Sequence, residues 1–395
     1  MMRRQNVKRV RVGPTIQERM RQFLKERRSE SRLTRVNQVR VGSIESVFET
    51  LANSTVAHVC IEKLNDLRVY AIEEIGISSR VNVLVEVLRR FEENNTIAKC
   101  TMSFLTNVAE IDSSCRDGVI HALGGIEHLC AGIRQTGDMN LLRSIGSTEP
   151  RLPFHIYGNG MIETIHSRMA TSPHVFGVLS NMTARSYGEI GIGLVCREGL
   201  IDKLTDDILT DDGTGAAVQL IDNLTLSNDY AHVDSVCRNP CLLGVLDRSV
   251  TSPLTRSDIF RICSNVAVGG PVHRKSVYRF FREAMGEIST NNTNTACISE
   301  AILFLATIVR EEKDPSRLPQ VLSILSAAGM PSVPDSVSAE IYCACADYAR
   351  NASCALSLRK GIVEYGLSAQ IEAHCVSSNS LLRLPSQFFS EALHP

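Results

Sequence analysis

The sequence predicts an all-α protein made of stacked helical repeats, and three observations support this fold class. Apolar residues recur at positions i, i+3, i+4 and i+7 in segments such as AKCTMSFLTNVAEI and SEAILFLATIVRE, which is the spacing of one helix face. Few segments alternate apolar and polar residues as strands do. The composition is 44% hydrophobic but only 5% aromatic, without Trp. This suits a core of small aliphatic side chains between stacked helices.

A short apolar signature that ends in Asn recurs with a period near 42 residues. Four copies end at Asn107, Asn181, Asn223 and Asn265, and the last three lie 42 residues apart. One period before Asn107 lies Asn65, and one period after Asn265 lies Thr307. Small or turn residues such as Gly125 and Gly199 begin a second apolar pattern in the same phase. A period in the range of armadillo units predicts a right-handed superhelical solenoid of about seven or eight armadillo repeats.

The repeat pattern divides the chain into three parts: a basic arm (1–42), the solenoid (43–375) and a C-terminal tail (376–395). Asn107 and Asn181 are 74 residues apart, so we expect one repeat between them to be about ten residues short. Its Asn position is expected near 146–149, with a loop over the Pro- and Gly-containing segment 147–160. We expect the mostly polar tail to be loosely held.

The charge of the chain is distributed unevenly. Residues 1–41 contain 13 Lys or Arg and 3 Glu, a net charge of +10, whereas the remaining 29 basic and 40 acidic residues give −11. Such an arm is expected to bind an acidic partner, whether this is its own body, a second protein or a nucleic acid.

The phased Asn residues are candidates for a peptide-binding row. In an armadillo unit the third helix lines a concave groove, and an Asn amide can both donate to and accept from the backbone of an extended peptide. Helices about 8–10 Å apart match about two or three extended residues per repeat. The candidate residues are Asn65, Asn107, Asn181, Asn223 and Asn265. On this hypothesis, loss of Asn181 and Asn223 weakens peptide binding without unfolding the chain. The alternative is that these Asn side chains form hydrogen bonds between helices.

The Asn signature resembles that of the importin alpha family, whose repeats read W-A-L-S-N. The resemblance implies that the Asn binds the backbone of a nuclear localisation signal, and that Trp four residues earlier stacks on its Lys side chains. The Asn half of the motif is present, but the Trp positions hold Ser103, Gly177, Gln219 and Arg261. Arg261 is expected to repel a basic peptide. The nearby acids that are candidates to attract one are Glu110, Asp112, Glu189, Asp222 and Asp229.

The basic arm also resembles this family. Its segment RQFLKERRSESRLTRVN, from Arg21 to Asn37, is similar without gaps to the later half of the helix with which importin alpha binds importin beta. The residues that the resemblance assigns to this contact are Lys25, Arg27, Arg28, Arg32 and Arg35. The resemblance implies a nuclear import adaptor in the cytoplasm and nucleus, with importin beta and cargo proteins carrying nuclear localisation signals as its partners.

Other function classes are disfavoured. The sequence contains no P-loop, HExxH or GxSxG motif, so we expect no enzyme. The thirteen Cys are scattered and the ten His do not cluster; we expect no metal or cofactor, and Cys that serve as small buried hydrophobes. No stretch approaches the roughly 18–20 apolar residues of a membrane span, and the acidic body disfavours nucleic acid. One alternative remains open: an armadillo scaffold outside transport that binds an extended partner segment, which the missing Trp residues favour.

Overall fold

The structure is a computed structural model that describes residues 43–146, 160–184, 188–205, 211–252, 255–289, 294–312 and 314–393. In these ranges the secondary structure is helical, without strands, as the sequence predicts. The basic arm and its five assigned residues (Lys25, Arg27, Arg28, Arg32 and Arg35) lie outside the described residues, as does most of the expected loop over 147–160.

The described chain forms two compact units, 43–223 and 224–393. The α-helices of the first unit are α1 (Ile44–Asn53), α2 (Ala57–Asp66), α3 (Ile72–Ile75), α4 (Ser78–Arg90), α5 (Asn95–Ala109), α6 (Ser113–Ala122), α7 (Ile126–Thr136), α8 (Met139–Gly146), α9 (Met161–Arg168), α10 (Val175–Met182), α11 (Gly188–Arg197) and α12 (Asp211–Thr225), which ends two residues past the boundary.

The α-helices of the second unit are α13 (Tyr230–Arg238), α14 (Pro240–Ser249), α15 (Arg256–Ala267), α16 (Pro271–Val277), α17 (Phe281–Ser289), α18 (Thr295–Glu312), α19 (Leu318–Ala327), α20 (Asp335–Ala349), α21 (Ala352–Glu364), α22 (Ser368–Cys375) and α23 (Ser380–Leu393). Short 3₁₀ turns connect several of these helices.

Each repeat ends in one helix that packs on its counterpart in the next repeat, and we call these the third helices. In the first unit they are α2, α5, α8, α10 and α12, and in the second α15, α18, α20 and α23. Contacts connect α2, α5, α8 and α10 in this order, and likewise α15, α18, α20 and α23. Each unit is therefore a stack of helical repeats, the arrangement typical of a solenoid.

The third helices provide much of the core. All eight residues of α10 are buried, and ten of α15 are buried. Burial of each large aliphatic or aromatic side chain contributes about 1.5–3 kcal/mol, so a repeat is stabilised mainly by its neighbours. All thirteen cysteines are free; seven are buried and six are half-buried, so the expectation of small core residues holds for the seven buried ones.

Local sequence sets where the helices begin and turn. Asn94 begins α5, because its side-chain oxygen accepts hydrogen bonds from the backbone N–H groups of Thr96 and Ile97 at 3.1 Å. Gly137 separates α7 from α8 with a φ of 68°, a conformation that glycine adopts without strain. A Cβ atom at this position would also lie 2.1 Å from Nη2 of Arg168.

The expectation of a loosely held tail is wrong. Residues Ser380–Leu393 form α23, which buries Leu382, Ser386, Phe389 and Leu393 and packs against α20. The ring of Phe389 lies 5.8 Å from that of Tyr342 on α20. The helical pattern of this segment is hard to detect in the sequence, because Ser386 occupies a core position and Pro385 lies inside the helix.

Within the described residues, no helix is long and apolar enough to cross a membrane.

We predict that Phe389→Ala lowers the free energy of unfolding by about 3–5 kcal/mol, since it removes a fully buried ring. The neighbouring change Phe388→Ala removes a ring that is 43% exposed and should cost about 1 kcal/mol or less. Urea denaturation of both variants, followed by circular dichroism, measures the difference. Equal losses in the two variants would mean that α23 does not belong to the folded core.

Candidate functional site: the row on the third helices

Hydrogen bonds between repeats establish which residues occupy equivalent positions. The side-chain amide of Asn223 on α12 donates to the backbone carbonyl of Ser180 on α10 at 2.9 Å and to Oγ1 of Thr183 at 3.2 Å. In the repeat before, the amide of Asn181 donates to the backbone carbonyl of Arg143. Each Asn therefore bonds the residue that precedes the equivalent position one repeat earlier.

This rule corrects the expected position of the short repeat. The residue that follows Arg143 is Ser144, which lies 37 residues after Asn107 and 37 residues before Asn181. Two consecutive repeats are therefore shorter than 42 residues, instead of one repeat that lacks all ten. Ser144, rather than a residue in 146–149, takes the place of Asn. The sequence pattern missed this position because Ser replaces Asn and because two short intervals add up to one irregular gap.

The second unit, taken by itself, has the same kind of contact at the position that the 42-residue period predicts. Oγ of Ser264, the residue before Asn265, lies 3.0 Å from Oγ1 of Thr307. This hydroxyl pair connects α15 to α18 as the Asn amides connect helices in the first unit. The equivalence of Thr307 with the phased Asn residues is confirmed.

The candidate Asn residues differ in exposure, and this difference decides what each can bind. Asn181, Asn223 and Asn265 are buried, with at most 6% of each residue exposed. Asn65 on α2 is exposed, and Asn107 on α5 is half-buried. Among the described residues, neither of these two side chains has an internal hydrogen bond.

For Asn181 and Asn223 the structure supports the alternative, a hydrogen bond between helices. Both amide hydrogens of Asn223 have acceptors within the protein, and its Oδ1 accepts a hydrogen bond from Nε2 of Gln219 at 2.8 Å. Because these amides bond the protein itself, we now expect their loss to destabilise the fold as well. Peptide binding by the row stays a prediction, and its accessible part in the first unit is Asn65 and Asn107.

The positions that hold Trp in the resembling family are structured differently here. The side chain of Arg143 lies across Gly177, where an added Cβ would come within 2.4 Å of Cδ of Arg143. Arg143 is held in place by an ion pair with Glu110 and by bonds of 2.8 and 3.1 Å to Oδ1 of Asn140. Ser144 also donates to Glu110 at 3.1 Å. The side chain of Arg143 thus covers α10 at Gly177.

Arg261 is not the exposed cation on which the expected repulsion of a basic peptide depends. Its guanidinium lies 2.7 Å from the carboxylate of Asp258, one turn earlier on α15, and both side chains are at most 3% exposed. The charge is therefore neutralised inside the protein. The remaining Trp-equivalent positions are Ser103, which is exposed, and Gln219, which bonds Asn223.

The acids near the row are mostly engaged elsewhere. Asp112 and Asp229 begin α6 and α13, where each accepts a backbone hydrogen bond. The backbone N–H of Cys115 lowers the pKa of the Asp112 carboxyl below its usual value. Asp222 is buried, and Glu189 is exposed.

Beyond Thr307, two further third helices carry a face that the sequence pattern missed. Asp347 lies 40 residues after Thr307, and Phe388 lies 41 residues after Asp347. The guanidinium of Arg350 on α20 lies 5.4 Å from the ring centre of Phe388 on α23, so the exposed sides of these two helices are adjacent. We call this surface the C-terminal face; it comprises Glu340, Cys343, Asp347 and Arg350 on α20, and Leu381, Leu384, Phe388 and Glu391 on α23. A sequence search with a period of 40–41 residues instead of 42 would have located this surface.

In the part of the chain that the structure describes, no group of three His, Cys, Asp or Glu side chains is placed to hold a metal ion.

Comparisons with known proteins support the fold. No protein-family model matches the sequence, and no curated protein matches it. The structure is similar to the crystal structure of an engineered protein, with a TM-score of 0.63 and 16% identity over 90% of this chain and 100% of that one. It is also similar to a structure from a study of the interaction between cadherin and beta-catenin, with a TM-score of 0.61 and 12% identity over 89% of this chain and 78% of that one. Since beta-catenin is an armadillo protein, the all-α armadillo-type repeat fold is confirmed.

We predict that Asn223→Ala destabilises the chain by about 1–3 kcal/mol, because the carbonyl of Ser180 and the side chain of Gln219 lose a buried partner. The matched change Asn107→Ala should alter the free energy of unfolding by no more than about 0.5 kcal/mol. Chemical denaturation of both variants distinguishes them. A stable Asn223→Ala variant would show that this bond does not hold the repeats together.

Proposed function

We propose that this protein is a non-enzymatic scaffold that binds an extended segment of a partner protein on the third helices of its first unit. The observation that carries the proposal is the pair of accessible amides, Asn65 and Asn107, on the adjacent helices α2 and α5. Ser103 and Lys99 are exposed one and two turns before Asn107, so α5 presents a continuous polar stripe. Amides in this arrangement can bond both the N–H and C=O groups of a strand-like peptide.

The structure also limits the length of the bound segment. From α8 onward, Arg143 covers Gly177, and the amides of Asn181 and Asn223 bond the protein itself. The accessible row in the first unit therefore spans α2 and α5. Helices about 8–10 Å apart correspond to a contact of roughly four to six extended residues.

We predict that Asn65→Ala combined with Asn107→Ala weakens peptide binding by about 1–2 kcal/mol for each lost pair of hydrogen bonds. The probe is a set of peptides selected on the full chain from a randomised display library, whose affinities are measured by fluorescence anisotropy. Asn53→Ala, an exposed Asn on α1 whose amide bonds its own helix, is the matched control. Unchanged affinity in a folded double variant would contradict the proposal.

A second, narrower candidate is a nuclear import adaptor, which links cargo carrying a nuclear localisation signal to importin beta and acts in the cytoplasm and nucleus. The similarity of the segment from Arg21 to Asn37 to the importin-beta-binding helix favours this candidate. The absence of Trp from the row and the internal bonding of Asn181 and Asn223 favour the broader scaffold.

For the adaptor we predict nanomolar binding of the full chain to importin beta, because a basic helix in an acidic channel forms many charge-assisted contacts. The triple variant Arg27→Glu, Arg28→Glu and Arg35→Glu should bind at least roughly a hundredfold more weakly, since each reversal replaces an attraction by a repulsion. Isothermal titration measures both affinities. No binding by the unaltered chain would exclude the adaptor and leave the scaffold.

A further inference from the structure

The C-terminal face differs in chemistry from the polar stripe of the first unit. Leu381, Leu384 and Phe388 are 59%, 60% and 43% exposed. Their spacing of three and four residues places them on one side of α23, in a stripe about 10 Å long. Scattered exposed hydrophobic residues are ordinary in proteins, but a contiguous row of three large ones is typical of an interaction site.

The charges around this stripe favour one sign in a partner. Asp347 pairs with Arg350 at 2.7 Å, and Glu340 pairs with Arg310 at 2.8 Å, so these four charges neutralise one another. Glu391 follows Phe388 by one turn on the same exposed side. Among the described residues it has no ion pair. The stripe therefore combines three apolar side chains with one unneutralised carboxylate.

The stripe also has a structural context. On α18 and α20 the equivalent positions are Leu303 and Thr307, and Cys343 and Asp347, all of them buried or half-buried. On α23 the same two positions, Leu384 and Phe388, are the exposed ones. The exposed side of α23 thus continues the face formed by α18 and α20. It differs from them because its residues at these positions are both hydrophobic and exposed.

We infer that the C-terminal face binds an amphipathic helix of a partner protein. Its apolar residues at i, i+3 and i+7 pack on Leu381, Leu384 and Phe388, and a Lys or Arg pairs with Glu391. A helix lying along α23 has the same residue spacing as the stripe, so its anchors match all three side chains. This inference rests on the proposed function, in which third helices bind partner segments, and it assigns a second partner chemistry to the third helices of the second unit.

The test uses the full chain and three synthetic 18-residue peptides. One has Leu at i, i+3 and i+7 flanked by Lys; the second has Glu in place of Lys; the third has the Lys composition in scrambled order. We expect the Lys peptide to bind at least about tenfold more tightly than the other two in fluorescence anisotropy. Glu391→Lys should reverse the order of the Lys and Glu peptides. Leu384→Ser with Phe388→Ala should weaken the Lys peptide about tenfold or more.

The control variant is Leu356→Ser with Val363→Ala on α21. These residues are 70% and 73% exposed but lie outside the C-terminal face, so the affinity for the Lys peptide should not change. Thermal unfolding confirms that each variant is folded. Equal binding of the three peptides, or equal effects of the two double variants, would overturn the inference.

Two further outcomes separate this inference from its alternatives. A sedimenting mass of twice the 43.4 kDa chain that is lost in the Leu384→Ser and Phe388→Ala variant would overturn it in favour of a second copy of the chain. The inference fails and the proposed function stands if the Asn65 and Asn107 substitutions weaken binding of the library-selected peptides while the substitutions on α23 leave the affinity for the Lys peptide unchanged. If neither set of substitutions affects any peptide, both fail.

Discussion

The fold depends on one recurring contact, in which a polar side chain on each of the third helices α10, α12 and α18 bonds the third helix before it. Asn223 donates to the carbonyl of Ser180, Asn181 to that of Arg143, and Thr307 meets Ser264. A repeat cannot bury its apolar face alone, and apolar packing by itself sets the register of neighbouring helices only loosely. A directional hydrogen bond in a buried place fixes that register, because a shifted helix would leave an amide without a partner.

This contact also explains how the row divides into binding and structural parts. The same residue type that can bond a peptide backbone can bond a helix carbonyl, and burial decides between the two. Where the side chain is buried, as at Asn181 and Asn223, the amide stabilises the stack. Where the side chain is exposed or half-buried, as at Asn65 and Asn107, the amide stays accessible to a ligand. At the other end of the chain, Leu384 and Phe388 replace amides by apolar surface.

The sequence predicts the fold class well, because periodicity at two scales reports directly on helix faces and on repeats. The spacing of Asn181, Asn223 and Asn265 identifies three third helices, and the same phase locates Thr307. It does not reveal that Ser144 takes an Asn position, since two intervals of 37 residues look like one irregular gap. Nor does it reveal α23, whose core includes Ser386. Burial cannot be predicted from the motif: Asn107 and Asn181 carry the same signature, and Arg261 reads as an exposed cation until Asp258 is seen beside it.

The central claim is that the Asn residues of one row have two different roles. Hydrogen exchange of the side-chain amides tests it most directly, by NMR on chain labelled selectively with ¹⁵N-Asn and assigned by single substitutions. The account predicts slow exchange for Asn181 and Asn223, whose amide hydrogens are buried and bonded, and fast exchange for Asn65 and Asn107. Similar exchange rates for the two pairs would contradict it, and would mean that the row is uniformly accessible to a peptide.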